Sequence, residues 1–269
     1  MGAAHEVAVA PPAQERCTGM ITINTVDDVS VLRLGHGKVN ALDVELLDEL
    51  TATLDAKARS SRAIVLTGNG RVFSAGVDLT RVLDSGADYV ARLIPALSRA
   101  FVTLFTLPRP VVAAIDGAAI AGGCILAAAC DVRLMAEGSG PIGATELVVG
   151  VPFPVAALEI LHHACGYRTA DIVLRARRLD VAEAVAVGLV QQALPPEVLV
   201  DRAVALAADL GALPGEAYAM AKRQLQQGTC ERIERDAPSV DAAVAQIWAS
   251  SETAGRITEQ LARLRSPRP

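Results

Sequence analysis

Aromatic side chains are scarce in this sequence, since Phe, Trp and Tyr together make up 3% of its 269 residues. Hydrophobic residues nevertheless make up 52% of the chain, and most of them are Ala, Val or Leu. A chain of this length buries enough apolar surface to fold without disulfides or structural metals. We therefore predict a large, aliphatic, closely packed core and no metal site.

Clusters of basic residues are also absent. The formal net charge is -5 and the isoelectric point is near 5.4. Proteins that bind nucleic acid need a basic patch or stripe, so nucleic acid is a poor candidate for a partner. A glycine-rich dinucleotide fingerprint after a predicted strand is missing as well, and we predict no separate cofactor.

The chain has no long, uninterrupted apolar run. The longest one, Val111 to Cys130, contains Asp116, which a membrane-spanning helix would have to bury. Residues 1–18 have neither a basic start nor an apolar stretch, so they do not resemble a signal peptide. We expect no membrane association, and we predict that residues 1–18 form a disordered tail.

The cysteines do not form a pattern typical of disulfide or metal sites. There are five, an odd number, and no CxxC pair occurs. Cys124 and Cys130 stand among Ala and Leu residues, which indicates buried, reduced thiols. Reduced thiols are typical of the cytosol, so a cytoplasmic location is predicted.

Strand and helix patterns alternate along the first 193 residues, as in α/β domains. Short apolar runs predict strands, and Leu residues at helical spacing after Asp43 predict a capped helix. Beyond Pro195 the periodicity is helical. We predict an α/β core over residues 19–200 and a helical assembly region over 201–269. The predicted strands lie at 21–23, 29–34, 63–67 and 111–115; the predicted helices include 86–106, 122–130, 196–211, 214–227, 231–248 and 252–265.

Two glycine-containing stretches are candidates for a site. Residues 73–79 (FSAGVDL) follow a predicted buried strand, and residues 116–126 (DGAAIAGGCIL) pass from a strand through glycines into a helix. Glycine permits close approach of the backbone, and free N–H groups at a helix start stabilise negative charge. Taken singly, each stretch favours tight packing between helix and sheet over a catalytic site.

Together the two stretches resemble the enoyl-CoA hydratase/isomerase (crotonase) family. They look like that family's F-(S/A/C)-A-G-x-D and G-x-x-x-G-G-G segments. Residues 38–42 (KVNAL) and 183–190 (EAVAVGLV) resemble two further family segments in the same order. The resemblance implies an α/β spiral of ββα turns with a C-terminal helical region. It also implies an acyl-CoA thioester as partner, with CoA entering as part of the substrate, and assembly into homotrimers or hexamers.

The resemblance further implies an oxyanion hole made by the backbone N–H groups of Val77 and Gly122, since backbone donors stabilise charge that develops on a thioester oxygen. For Lys222, an ordinary exposed helical lysine is an equal alternative to a contact with CoA. By position in the family motifs, the predicted substrate and CoA contacts are Lys38, Asn40, Ala41, Leu42, Ala75, Gly76, Asp78, Arg81, Gly123, Ile125, Phe153 and Lys222.

The carboxylates decide between reactions. Hydratases of the family use two glutamates, and the first corresponds to Ile125, which cannot ionise; the second corresponds to Glu146. A single acid/base suffices to move a double bond, so the sequence favours an isomerase with Glu146 as its base. The turn at 150–155, with Phe153 and two prolines, departs from the family pattern and is expected to narrow the acyl pocket. A hydratase and a non-catalytic acyl-CoA-binding homologue stay open as alternatives.

Overall fold

The computed structural model describes the backbone of residues 16–265 and the side chains of residues 19–264. Strands β1 (Arg16–Thr18), β2 (Ile21–Val26) and β3 (Val29–Leu34) begin the fold as an antiparallel meander. Asp27 and Asp28, with φ of 48° and 63°, form the predicted turn. The predicted tail was three residues too long, because residues 16–18 pair with β2; the rest of it lies outside the described residues.

Strand–strand–helix units follow the meander. The further strands are β4 (Ala63–Thr67), β5 (Val72–Ser74), β6 (Val111–Ile115), β7 (Ala118–Ile120), β8 (Val132–Ala136), β9 (Ile142–Gly143) and β10 (Gln192–Leu194). The helices are α1 (Val44–Ser60), α2 (Leu79–Thr106), α3 (Gly122–Ala129), α4 (Val155–Cys165), α5 (Thr169–Leu174), α6 (Val181–Ala186), α7 (Leu199–Gly211), α8 (Gly215–Trp248) and α9 (Ser251–Arg265).

The strands form two sheets that the chain visits in turn. The larger has the order β1-β2-β3-β4-β6-β8-β10 and is parallel from β3 onward, whereas β5-β7-β9 form a small parallel sheet. Each passage adds one strand to each sheet before a helix returns the chain. This alternation is the spiral of ββα turns that the sequence predicted.

Local chemistry explains where the first two long helices begin. The Asp43 carboxylate accepts a 2.8 Å hydrogen bond from Leu46 N and caps α1 as predicted, an arrangement worth about 1 kcal/mol. Asp78 caps α2 in the same way, through Arg81 N at 3.0 Å. The predicted start of α2 at residue 86 was late because Gly86, with φ of 63°, kinks a helix that already begins at Leu79.

The larger sheet has apolar side chains on both faces, as the continuous apolar runs of β4 and β6 predicted. One face packs against α1 and α2 in the main core, where Leu50 and Phe101 are fully buried or nearly so. The other face is covered by α7, whose Ala203 and Ala207 are inaccessible. α7 therefore belongs to the α/β core rather than to a separate region after residue 200.

The C-terminal helices also pack on the core. α8 is one helix where two were predicted, because the helix continues through Gly228, which lies between the two predicted segments. Val244 and Trp248 of α8 are buried, whereas Val240 and Ile247 of the same helix are 43% and 45% exposed. None of the helices in the described part of the chain combines the length and apolar character of a transmembrane span.

Candidate active site

A cavity of about 310 Å³ lies where the two candidate glycine stretches meet α4, α8 and α9. It brings together Ala75, Val77, Gly122, Ile125 and Glu146, five of the residues predicted from the sequence. The other lining residues are mostly apolar: Leu79, Leu97, Phe101, Ile120, Ala121, Thr145, Val148, Val149, Val151, Pro154, Ala157, Arg178, Trp248, Gln260 and Leu264.

The amide of Val77 is one unused donor on the cavity wall. Leu42 forms a parallel bridge with Val77, in which Leu42 N donates to Gly76 O at 2.8 Å and Asp78 N donates to Leu42 O at 3.0 Å. This bridge uses the groups on either side of Val77. Within residues 16–265 the Val77 N–H itself has no hydrogen-bond acceptor. Leu42 therefore fixes the segment without contacting the cavity.

The amide of Gly122 is the second unused donor. Gly122 is the first residue of α3, and no side chain caps that helix, so its N–H is among those that a helix leaves unsatisfied. Ala121, just before it, has φ 51° and ψ -123°, a backbone region that costs a non-glycine residue about 1–3 kcal/mol. A 2.8 Å hydrogen bond from Ala121 N to Gly143 O holds this conformation.

Glycines bring the two donor segments together. A Cβ atom on Gly76 would lie 2.8 Å from Ile120 O, and one on Gly123 would lie 2.3 Å from Ser74 O. Both distances are shorter than real Cβ contacts, so a side chain at either position would separate the segments. The sequence left two roles open for the glycine stretches, tight packing and a functional site. Gly76 and Gly123 serve both, because their packing brings the two donor segments together. Gly76 and Gly123 do not line the cavity, and they act through this contact.

Glu146 supplies the acidic group of the cavity. It begins a 3-10 helix, Glu146–Val149, that follows β9, and its side chain is buried. Its Oε2 has no hydrogen-bond partner. Burial raises the pKa of Glu146 to about 8, while its own backbone amide lowers it in part. A carboxyl group with such a pKa can both accept and return a proton near neutral pH.

The second carboxylate position is apolar. Ile125 is fully buried in α3 and lines the same cavity as Glu146. Within residues 19–264, Glu146 carries the only carboxyl group on the cavity wall. Nor does the described part of the chain contain a group of three or more His, Cys, Asp or Glu side chains that could hold a metal.

Several predicted contacts instead hold the neighbouring loop. Asn40, with φ 48°, is fully buried, and its amide donates to the carbonyls of Val72 and Phe73 at 3.1 Å each. Ala41 lies between Asn40 and Leu42 in this loop and, like Lys38, outside the cavity lining. These residues belong to the loop that pairs with Val77 through Leu42, and they do not line the cavity themselves.

Charged residues near the first donor are paired within the protein. Arg81 donates to Asp43 Oδ2 at 3.2 Å and to Glu45 Oε1 at 2.6 Å, and its guanidinium lies 5.0 Å from the centre of the Tyr89 ring. The Asp78 carboxylate is occupied as the cap of α2. Neither residue lines the cavity, so the geometry offers no support for direct substrate contact by either.

Two more predicted residues lie elsewhere than expected. Lys222 is not an exposed helical lysine: it is 6% exposed, and its Nζ lies 2.9 Å from the Asp131 carboxylate. Phe153 is buried in the core and is absent from the cavity lining, so it does not narrow the pocket; Val151 and Pro154 of the same turn line it.

The far walls of the cavity were missed by sequence reasoning. Phe101 comes from α2, Ala157 from α4 and Trp248 from α8. Arg178 and Gln260 are polar lining residues that no motif pointed to. Helical periodicity marks such residues as inward-facing, but it does not separate a cavity wall from solid core.

Known proteins are similar to this chain over most of its length. The enoyl-CoA hydratase/isomerase family matches over residues 25–254. Human mitochondrial enoyl-CoA delta isomerase 1 is 32% identical over 216 residues, which cover 78% of this chain and 72% of that protein. A putative enoyl-CoA hydratase of Thermus thermophilus is 41% identical over 179 residues, covering 64% of this chain and 69% of that protein.

Solved structures show the same fold. The crystal structure of human mitochondrial delta3-delta2-enoyl-CoA isomerase superposes with a TM-score of 0.87 at 26% identity, covering 92% of this chain and 98% of that one. An enoyl-CoA hydratase from Mycobacterium marinum gives a TM-score of 0.76 at 28% identity, covering 83% and 99%. With the ββα spiral and the matched motifs, these similarities establish that the chain belongs to the enoyl-CoA hydratase/isomerase (crotonase) family of enzymes.

Proposed function

We propose that this protein is an enoyl-CoA isomerase that moves a double bond of an acyl-CoA thioester from position 3 to position 2, with Glu146 as its single acid/base. One observation carries the proposal: the cavity wall combines one buried carboxyl group with two unused backbone donors, and Ile125 stands where a second carboxylate would be needed. The similarity to human enoyl-CoA delta isomerase 1 supports it.

The chemistry requires one proton to leave and return. Ionised Glu146 removes a proton from carbon 2 of a 3-enoyl-CoA, and the electron pair moves onto the thioester oxygen to form a dienolate. The N–H groups of Val77 and Gly122 donate to that oxygen, and one such donor is worth roughly 100- to 1000-fold in rate. Protonated Glu146 then delivers its proton to carbon 4, which leaves the double bond between carbons 2 and 3 and restores the carboxylate.

Hydration needs a different arrangement. Water addition requires a group that activates water while another donates a proton, a task that the family divides between two carboxylates. The Ile125 side chain can neither bind nor ionise water, and its burial makes the adjoining wall apolar. The isomerase therefore fits the cavity better than the hydratase, although hydratases occur among the similar proteins.

An assay on a pair of substrates tests the proposal. Wild-type protein is given a 3-enoyl-CoA and, separately, the 2-enoyl-CoA of the same chain length, and products are separated by chromatography. We expect conversion of the first to the second without 3-hydroxyacyl-CoA. Rapid hydration of the 2-enoyl-CoA would favour the hydratase, and tight binding with neither reaction would favour a non-catalytic acyl-CoA-binding protein.

Assembly into trimers or hexamers is the second part of the proposal. It rests on the family resemblance, together with apolar residues that α8 leaves on the surface of the single chain. Among them, Leu225 is 76% exposed, Met220 is 51% exposed and Ile247 is 45% exposed. Apolar side chains of this kind commonly pack between subunits.

A further inference from the structure

The segment that follows α5 carries three arginines, and two of them are neutralised locally. Arg175 lies 2.8 Å from Asp171 Oδ1, and Arg177 lies 2.7 Å from Asp171 Oδ2 and 2.8 Å from Glu183 Oε1. Arg178 has neither an ion pair nor a hydrogen bond to any side chain of residues 19–264. It is also the one of the three that lines the cavity containing Glu146.

The position of Arg178 is set by the strand that precedes Glu146. Leu179 and Ile142 exchange two hydrogen bonds, Ile142 N to Leu179 O at 2.9 Å and Leu179 N to Ile142 O at 2.8 Å. Arg178 is therefore held beside the strand that leads to Glu146. No ion pair joins its guanidinium to the Glu146 carboxylate, whose Oε2 has no hydrogen-bond partner, so the guanidinium is available to another anion.

The exposed lining residues fall into two groups by their position in the chain. Ala75 is exposed in the first donor segment, and Ala75 N donates to Val39 O at 3.0 Å, which places this opening beside the Lys38–Leu42 segment predicted to contact CoA. Val148, Arg178 and Leu264 are the second exposed group, from elements at or after Glu146 in the chain. The second group also lies with Gln260, whose side-chain amide has no hydrogen-bond partner within residues 19–264.

A guanidinium with no counterion, on a mostly apolar wall, is suited to a carboxylate, which it can bind through two parallel hydrogen bonds. We propose that the acyl cavity accepts enoyl-CoA thioesters whose chain ends in a carboxylate, and that Arg178 binds this terminal carboxylate with Gln260 as an additional donor. This assignment deepens the proposed isomerase function. The reaction of such substrates rests on that function, whereas the binding of their carboxylate does not. A phosphate of CoA is the other anion that Arg178 could bind. Arg178, Val148 and Leu264 are, however, remote in sequence from the Lys38–Leu42 segment that is predicted to contact CoA.

The experiment compares two 3-enoyl-CoA substrates of equal chain length, one ending in a methyl group and one in a carboxylate. Each is assayed with wild-type protein, Arg178→Gln, and Arg175→Gln as a matched control, since Arg175 is exposed and lies outside the cavity lining. We expect Arg178→Gln to lower kcat/KM for the carboxylate substrate by about 10- to 100-fold, the range of one or two charge-assisted hydrogen bonds. Turnover of the methyl substrate by Arg178→Gln should change less than about twofold, and so should turnover of both substrates by Arg175→Gln.

Other outcomes overturn the assignment. Equal losses for both substrates in Arg178→Gln would place a CoA phosphate on Arg178. No loss with either substrate would make Arg178 a solvated surface residue. If the protein isomerises neither substrate, the saturated acyl-CoA esters with methyl and carboxyl ends are compared as ligands by calorimetry. If wild-type protein binds the carboxyl ester more tightly than the methyl ester, and Arg178→Gln does not, the assignment is supported even though the isomerase proposal has failed. Equal binding of the two esters by wild-type protein would reject the assignment.

Discussion

The indole Nε1 of Trp248 donates a 2.9 Å hydrogen bond to the carbonyl oxygen of Pro152. The last residue of α8 thereby holds the turn at residues 150–155, which contributes Val151 and Pro154 to the cavity wall. Asp241, earlier in the same helix, accepts a 2.8 Å hydrogen bond from Val155 N at the end of this turn. The C-terminal half of α8 thus shapes the acyl site within its own chain.

Trp248 should report ligand binding by its fluorescence. It is the single tryptophan of the sequence, and it lines the cavity. A saturated acyl-CoA that fills the cavity changes the surroundings of the indole, so its emission should shift and saturate with ligand concentration. Free CoA, which has no acyl chain, is the control and should change the emission much less. Unchanged emission at ligand concentrations that inhibit turnover would place the acyl chain elsewhere.

Glu146→Gln tests the proposed base. Glutamine keeps the volume of the side chain but cannot accept a proton, so kcat on a 3-enoyl-CoA should fall by roughly 100-fold or more. KM should change little, because the Val77 and Gly122 donors remain, provided chemistry limits turnover. Steady-state kinetics measure both constants. A kcat close to that of wild type would exclude Glu146 as the base.

The pH dependence of kcat/KM follows from the same group. The pKa of Glu146 is raised by burial to about 8, and only the ionised form can remove a proton. We expect kcat/KM to rise by about tenfold per pH unit below pH 8 and to level off above it. A profile that is already flat at pH 6 would show that the base titrates in the ordinary range of a carboxyl group.

Stability should depend on pH in the opposite sense. Between the ordinary pKa of a glutamate, 4.5, and the raised pKa of about 8, Glu146 is ionised in the unfolded chain and protonated in the folded chain. The folded state then binds more protons, so the free energy of unfolding falls as pH rises through this window. Glu146→Gln does not titrate there, so its stability advantage over wild type should grow from pH 5 to pH 8. Urea unfolding at several pH values measures this difference, and a constant difference would contradict the raised pKa.

Ile125→Glu tests the missing second carboxylate. The new side chain would enter the cavity that Glu146 lines, so isomerisation should persist while slow water addition to a 2-enoyl-CoA appears. Ile125→Gln has nearly the same size but cannot ionise, and it is the matched control that should not hydrate. Product analysis separates the two reactions. Rapid hydration by wild-type protein would defeat the argument from Ile125 altogether.

Ala121→Gly should relieve backbone strain beside the second donor. Ala121 has φ 51° and ψ -123°, and glycine adopts such angles at much lower cost, so we expect a gain of about 1 kcal/mol in the free energy of unfolding. Ala52, exposed within α1, is the control, because Ala52→Gly in an ordinary helix should lose about 1 kcal/mol. Chemical denaturation compares the two. A loss of stability in Ala121→Gly would mean that the observed angles cost alanine little.

The sequence alone was enough to predict the elements whose signals are local. Continuous apolar runs marked the buried strands β4 and β6, and Asp43 marked the start of α1. The glycine stretches and their spacing indicated the family, the two backbone donors and Glu146. These features depend on backbone conformation and burial within a few residues, so they leave a pattern that can be read directly.

Tertiary structure decided the rest. Strands β5, β7 and β9 have three, three and two residues, too short for a periodic signal, and they form because they pair with one another across the spiral. Lys222 is buried because Asp131, 91 residues away, accepts from it. Trp248 and Arg178 reach the cavity through contacts between distant elements, and an apolar or charged side chain carries no local mark of the surface it will meet. The residues that line the cavity are therefore fixed by long-range packing, whereas the glycine-containing segments that carry the two backbone donors leave a pattern in the local sequence.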